Sequence, residues 1–394
     1  MITNLCHYSC NELEPPAPNA DEVMDAPVEG LTHGQNILFN AGAEEFDEVY
    51  NTETGLGPIF VATSCGSCHA GNNRGHMFTI LTRFGQTDSM GNQFTNFGGP
   101  QLQNQAIAGH KGEQIPDGAT SSKFIAPITS GVGFLELVSD ADIIEMSNDN
   151  LNNPDGVRGH PNWNYIPDYV IPFSNSISQG GKYICRFGHK ASTYNLLQLT
   201  AQAFNEDLGI ASTLLPNNPF NYKEGIPPFK SGDPEVSDNS LNAVVFYLQT
   251  LQTPFQRNIE EAEVVTGKKV FINIGCESCH KQTLKTGFSN VDALSNKEFH
   301  PYTDLLLHDM GSGLDDGYTE GTAKTSEWRT TPLWGLGLAA DAQGGNLFLL
   351  HDGRARSIEE AILFHGGESE VSKTRFTNLT QNDKDALIKF LKSL

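Results

Sequence analysis

Two stretches, Cys65-Gly-Ser-Cys68-His69 and Cys276-Glu-Ser-Cys279-His280, decide how this chain of 394 residues is read. Each is a C-x-x-C followed directly by His, the attachment signature for c-type haem. With 12 His in the chain, chance puts His after a given C-x-x-C about 3% of the time, so two coincidences are not a credible source. The spacing has a chemical reason. Two thiols three positions apart each add to one vinyl group on a porphyrin edge, and the adjacent imidazole then stands beneath the iron as proximal ligand. A zinc site needs four convergent ligands, yet the two pairs lie in opposite halves of the chain and each brings its own His. A dithiol redox pair has no use for a His at the same offset in both. The expected cofactors are two covalently bound haem c groups, anchored by Cys65, Cys68, Cys276 and Cys279, with His69 and His280 on the irons.

Working outward, each pentad is led by an apolar stretch read as a short helix, Pro58-Ile-Phe-Val-Ala-Thr-Ser-Cys65 and Lys269-Val-Phe-Ile-Asn-Ile-Gly-Cys276. Each half closes on another apolar helix, residues 241–251 and 385–394. A further element recurs as Ala126-Pro-Ile-Thr-Ser-Gly-Val-Gly-Phe-Leu-Glu136 and Thr331-Pro-Leu-Trp-Gly-Leu-Gly-Leu338. The repeat implies duplication. The expected fold is mainly α: two cytochrome c-like domains, 31–258 and 259–394, each with one covalent c-type haem and with long ordered loops. Residues 1–30 read as a flexible acidic tail without periodicity. The first half is longer chiefly through 147–191, rich in Asn, Asp, Gly and Pro. Within it, Asn148-Asp149-Asn150 with Asp155-Gly156 hints at a calcium loop, but the spacing misses the EF-hand and a solvated turn is preferred.

The balance of charge narrows the function. With 47 acidic against 25 basic side chains, the net charge is -22, which opposes the basic face that nucleic-acid binding needs. No apolar run approaches the roughly 18 residues of a membrane span. Haem attachment normally takes place outside the bacterial cytoplasm, so a periplasmic or otherwise extracytoplasmic location is expected, although Met1 to Pro18 holds no apolar stretch of signal-peptide length. Cys10, ahead of an acidic Pro-rich run, leaves room for a lipid anchor, but the residues before it fit a lipobox poorly. Alternatively, Cys6, Cys10 and Cys185 include one disulfide.

A proximal His leaves the sixth position of an iron open, and what fills it decides between electron transfer and chemistry. Ser357-Ile-Glu-Glu360 reads as a capping box opening a helix, and Ile358, Ala361, Ile362 and His365 then fall on one face. His365 is thus the candidate second ligand of the second iron, with Met310 and His308 as rivals. The first half offers no equivalent. His76 lies a short reach beyond His69, and nothing supports His110 or His189, so an open or water-filled site is expected there.

From about Gly55 to Leu394 the sequence resembles the bacterial di-haem cytochrome c peroxidase and MauG superfamily, most closely its di-haem oxidoreductase branch. The segments that carry the resemblance are 55–69, Tyr302-Thr-Asp-Leu-Leu-Leu-His-Asp-Met-Gly311, Trp328-Arg-Thr-Thr-Pro-Leu-Trp-Gly-Leu-Gly337 and 351–368, which opens His351-Asp-Gly. In that superfamily a ligand to the C-terminal haem follows the H-D-G Asp by thirteen positions, Met in the peroxidases and Tyr in MauG; from Asp352 the count lands on His365. The resemblance implies an electron-transfer haem held by His280 and His365, and a peroxidatic haem at His69 that reduces hydrogen peroxide. It gives His308 a supporting or propionate role, and Arg329 a propionate. Splitting peroxide needs a group that moves a proton between its oxygens. Glu136, near a pocket Gln of the peroxidases, and Gln103, matched to their catalytic Glu, are the candidates, and the carboxylate leads.

The resemblance is incomplete. His189 stands where the branch usually has Trp. Thr330 and Pro332 match two ligands of an inter-domain calcium site whose Asn has no match here. The expected electron donor is a small cytochrome or cupredoxin, with the acidic charge favouring a basic one. Three other readings stay open: MauG-like oxidation of a protein or small molecule with Trp328 and Trp334 as relays, a plain di-haem electron carrier, and a thiol oxidoreductase using the C-x-x-C pairs as dithiols.

Overall fold

The computed structural model describes residues 23–70, 74–85, 94, 96–225 and 233–394. Cys6, Cys10 and most of the acidic tail lie outside the described residues. The longer helices are α1 (His33–Asp47), α2 (Val132–Glu136), α3 (Asp140–Asn150), α4 (Leu196–Glu206), α5 (Asp238–Thr250), α6 (Ala262–Asn273), α7 (Ile358–Phe364), α8 (Glu370–Thr377) and α9 (Gln381–Ser393). Short strands join them: β1 (Ile59–Phe60), β2 (Leu81–Phe84), β3 (Gln105–Ala106), β4 (Ser121–Phe124), β5 (Asn162–Asn164), β6 (Ser178–Gln179) and β7 (Lys182–Cys185), then β8 (Leu284–Lys285), β9 (Glu298–Phe299), β10 (Leu307–Asp309) and β11 (Glu327–Arg329). The sheets are small and antiparallel: β1 with β3, β2 with β4, β5-β7-β6, β8 with β9, and β10 with β11. The fold is therefore mixed, 34% helix and 11% strand, rather than mainly α.

One expected helix is a strand. Ile59 and Phe60, ahead of Cys65, pair with Ala106 and Gln105. Pro58 has no N–H for a helical ladder, and Ile59, Val61 and Thr63 are β-branched residues that favour extended backbone. The helix of the first half lies upstream, at α1. It opens on a capping box in which the Thr32 hydroxyl accepts from Gln35 N and the Gln35 side chain accepts from Thr32 N.

The two halves repeat one crossing. α1 passes α5 at Gly42, where a Cβ would stand 2.7 Å from the Tyr247 Cβ; α6 passes α9 at Gly267, where it would stand 2.6 Å from the Phe390 Cβ. One turn beyond each glycine a phenylalanine fills the angle. Phe46 has its ring 5.3 Å from Tyr247 and 5.8 Å from His69. Phe271 has its ring 5.4 Å from Phe390 and 6.4 Å from His280. The recurring loop element also lands alike: Gly131 (φ 73°) and Gly335 (φ 67°) begin short helical turns, and Gly133 and Gly337 face the carbonyls of Gln249 and Lys392 near the ends of α5 and α9. Packing does not stop at 258, however. Leu284, Phe299, Leu306 and Trp334 join the core that holds Phe46, Phe134 and Tyr247, while Phe271, Phe376, Leu387 and Phe390 form a second core.

The long 147–191 segment is fastened to the second half. Arg158 N donates to Glu368 Oε2 at 2.7 Å, Arg375 pairs with Asp155 at 2.5 Å, and Asn153 Nδ2 donates to Ser278 Oγ at 3.2 Å. Its suspected calcium loop already contains a cation. Arg158 Nη1 donates to the carbonyls of Asn150 (2.9 Å), Asn153 (3.1 Å) and Val157 (2.6 Å). Among the described residues no helix is long and apolar enough to cross a membrane.

Candidate functional site

α6 delivers the second pentad to the wall of a cavity of about 260 Å³ lined mostly by apolar side chains. Cys276, Cys279 and His280 line it together with Ile358, Ala361, Ile362 and His365, the face read from the sequence for the helix now seen as α7. Ser357 caps that helix by accepting from Glu360 N at 3.0 Å. His280 Nδ1 lies 2.9 Å from the Tyr302 carbonyl and His365 Nδ1 lies 2.8 Å from the Ala361 carbonyl. A carbonyl only accepts, so each Nδ1 carries the proton and each Nε2 keeps its lone pair. Burial lowers the pKa of both rings, to about 4 for His280, which holds them neutral.

The same cavity fits an amphiphilic macrocycle. Two arginines line it, Arg329 and Arg74. Burial lowers both to about 10, and Arg74 Nε has no hydrogen-bond partner among the described residues. Arg329 Nε donates to the Gly188 carbonyl at 2.9 Å. An apolar slot with guanidinium groups at its margin suits a porphyrin carrying carboxylate tails.

The rival ligands are differently engaged. His308 lines the cavity, but its Nδ1 meets Glu368 at 2.8 Å and its Nε2 meets Asp304 at 2.9 Å, so neither nitrogen is left for a metal. Despite burial, Asp304, with the Cys279 thiol beside the ring, holds its pKa well above the ordinary value. Met310 lines the cavity and packs beside Phe124, Leu314 and Trp328. His189 also lines it, with Nε2 2.7 Å from the Ile125 carbonyl and its ring stacked on Phe124. The calcium match weakens, since the Thr330 carbonyl already accepts from Thr303 Oγ1 at 2.5 Å.

The same wall carries a buried stack. The Trp328 ring lies 3.6 Å from His351, nearly parallel at 10°, and Lys190 Nζ stands 3.6 Å from its centroid. Lys190 is wholly buried, donating to the carbonyls of Lys324, Thr325 and Glu327 at 3.0–3.3 Å. Burial lowers its pKa to about 8. Trp334 instead packs in the core, its ring 6.1 Å from Phe299.

The first pentad sits apart from this cavity, on a helical turn at Cys65–Cys68 capped by Ser64. Phe46 of α1 approaches one side, and β1 runs up to it along the end of α4, where Val61 N and Ala62 N donate to the Asp207 carbonyl. Neither proposed acid-base residue has a free side chain. Glu136 Oε1 accepts from Leu196 N at 2.7 Å and Oε2 from Gln249 Nε2 at 2.8 Å, which ties α2 to α4 and α5. Gln103 Nε2 donates to the carbonyls of Ile59 and Asn205. The residue that sequence reasoning passed over is Glu113. It is buried, its Oε2 accepts from Gln103 N at 2.9 Å, and its Oε1 has no hydrogen-bond partner among the described residues. Burial raises its pKa to about 7. No pattern in the surrounding loop marks it; only the fold buries it.

All four pentad thiols are pushed up by burial, Cys65, Cys68 and Cys276 to about 12. Redox-active dithiols need a lowered pKa, so the dithiol reading has no support here. Cys185 is buried beside Val170 and Tyr194, and burial raises its thiol to about 12 as well.

The family model described as "Di-haem oxidoreductase, putative peroxidase" matches residues 117–394. The chain belongs to this di-haem oxidoreductase family. No curated protein matches it. Among solved structures, a chain of Kuenenia stuttgartiensis hydrazine synthase pressurized with xenon is similar at 15% identity, covering 100% of this chain and 99% of that one, with a TM-score of 0.39.

Proposed function

We propose that this protein is an extracytoplasmic di-haem c-type peroxidase built from two cytochrome c-like domains, in which electrons enter at the second pentad and reduce hydrogen peroxide at the first. The observation that carries the reading is the pair of neutral imidazoles, His280 and His365, presenting Nε2 in one apolar cavity beside Cys276 and Cys279. Haem bound there and at Cys65, Cys68 and His69 would supply the redox iron, one electron stored at each centre and peroxide reduced to water at the first.

The chain's own residues do the rest. Cys276 and Cys279 anchor the macrocycle, while the Tyr302 and Ala361 carbonyls fix the two imidazoles in the tautomer that binds metal through Nε2. Arg329 and Arg74 receive propionates, and the apolar lining excludes water. Glu113, in place of Glu136 and Gln103, holds the proton that peroxide cleavage must move; with a pKa near 7 it is able both to give and to take one. Its partner Gln103 is bonded to β1 and to the end of α4, the two elements that flank Cys65. The electron donor is a small basic cytochrome or cupredoxin, drawn by the net negative charge of the chain.

The test is stopped-flow mixing of the haem-loaded protein with peroxide, in the fully oxidised and half-reduced states, for wild type and His365→Ala. Peroxide-dependent change in a high-spin centre of the half-reduced wild type is expected. A purely low-spin spectrum that never responds to peroxide or to reduction would leave only an electron carrier.

A further inference from the structure

Trp328, the relay that MauG-like chemistry would use, is guarded against oxidation. One-electron loss from an indole leaves a cation, and the Lys190 ammonium fixed 3.6 Å from the ring centre opposes that charge. Its Nε1–H donates to the Leu314 carbonyl at 2.8 Å, an acceptor too weakly basic to take the proton. Tyr318 differs in having a carboxylate in hydrogen-bond contact, with the Arg83 guanidinium shared between that carboxylate and the phenol. It is fully buried, and its ring meets Phe124 edge-on at 6.1 Å, one ring behind His189 on the cavity wall. The phenol donates to Glu320 Oε1 at 2.9 Å. Arg83 Nε at 2.7 Å and Ser192 Oγ at 2.6 Å hold that carboxylate ionised, and Glu206 lies 3.8 Å from the far side of the same guanidinium.

We propose that Tyr318, with Glu320 as its proton acceptor, is a one-electron redox site of this protein and that Trp328 is not. The proposal rests on the peroxidase reading for its oxidant, a peroxide-derived oxidising equivalent at a haem. One electron leaves the phenol ring for that oxidant, which is reduced by one equivalent. The O–H bond breaks, the proton passes to Glu320 Oε1, and a neutral phenoxyl remains beside a neutral carboxylic acid. An oxidised phenol is a far stronger acid than a resting one, so an ionised carboxylate in hydrogen-bond contact suffices as base. One electron from the donor protein, with return of the same proton, restores the pair. Peroxide takes two electrons and such a donor gives one at a time, so Tyr318 holds the equivalent left over between deliveries.

Freeze-quench electron paramagnetic resonance on the haem-loaded protein tests this in two arms. One arm adds hydrogen peroxide; the other adds none and oxidises the protein by flash photolysis of ruthenium tris-bipyridine with persulfate. In both, a tyrosine-type radical is expected that narrows when ring-deuterated tyrosine is incorporated, is lost in Tyr318→Phe, and survives in Trp328→Phe. Lys190→Met is expected to add an indole radical. A signal undiminished in Tyr318→Phe, or one lost in Trp328→Phe, overturns the proposal. Should Tyr318→Phe fail to fold, Glu320→Gln decides: loss of the radical supports the proposal and its retention overturns it. A Tyr318 radical in the flash arm, with haem spectra indifferent to peroxide, would sink the peroxidase reading and leave the redox site standing.

Discussion

His280 follows the end of α6 and His365 caps the C-terminal end of α7, yet their rings share one cavity and one tautomer, each Nδ1–H spent on a backbone carbonyl. Burial favours the neutral form of both rings, which leaves each Nε2 lone pair available.

His365→Ala is expected to remove the low-spin signature of the second haem while leaving covalent haem content unchanged. Low-temperature electron paramagnetic resonance reads the spin state and a pyridine haemochrome assay reads the haem. Added imidazole should restore the low-spin signal, because the vacated space is the size of the missing ring. An untouched low-spin signal would remove His365 as ligand.

Gly42→Ala and Gly267→Ala should each lower stability by about 1–3 kcal/mol, since the new methyl meets the backbone and Cβ of the crossing helix. Gly34→Ala in the same α1 meets nothing within 4 Å, and should be neutral or stabilising by up to about 1 kcal/mol. Thermal denaturation of the three variants separates crossing geometry from helix propensity.

Glu113 carries a pH dependence whose sign is set by burial. Its folded pKa of about 7 lies above the ordinary 4.5, so the folded state binds the proton more tightly. The stability it contributes is full below pH 4.5 and is lost as pH rises toward 7. Glu113→Gln should flatten that part of the stability profile and slow peroxide turnover by about 10²-fold or more. Glu136→Ala should instead destabilise by about 2–4 kcal/mol, leaving Leu196 N and Gln249 Nε2 without their acceptor, with turnover of the folded fraction nearly unchanged. Denaturant titrations across pH, with peroxide assays on the same samples, check both.

Arg158→Ala should cost about 1–3 kcal/mol by stranding three carbonyls that one guanidinium nitrogen now satisfies. Neither calcium nor a chelator should move the melting temperature of the wild type. A rise on adding calcium would mean that a cation site exists elsewhere.

What was legible in the sequence was whatever repeats or recurs at helical spacing. The closing helices α5 and α9 carry such a pattern and form where it puts them, and the residues read as one face, Ile358, Ala361, Ile362 and His365, line one cavity. α1 carries a subtler signal: Gly42 and Phe46 stand at the same offset as Gly267 and Phe271, matched by Ala243-x-x-x-Tyr247 and Ala386-x-x-x-Phe390. The strand at Ile59 is hidden in the sequence because an apolar run beside a pentad looks helical until its partner strand, over forty residues away, is known. Glu136 and Glu113 show the limit most clearly. Both are glutamates in loop-rich sequence, and only tertiary packing decides that one has both oxygens occupied while the other keeps one unshared.

The fastening of 147–191 across the second half bears on how the molecule can move. Asp155, Arg158 and Lys190 leave the first half and end in ion pairs or hydrogen bonds with Arg375, Glu368 and Glu327. A hinge between the pentads would have to break these together, Lys190 among them with no exposure to water. On the peroxidase reading, the distance between the two pentads would therefore be set when the chain folds, and a change of oxidation state would be absorbed by protons and side chains inside that frame.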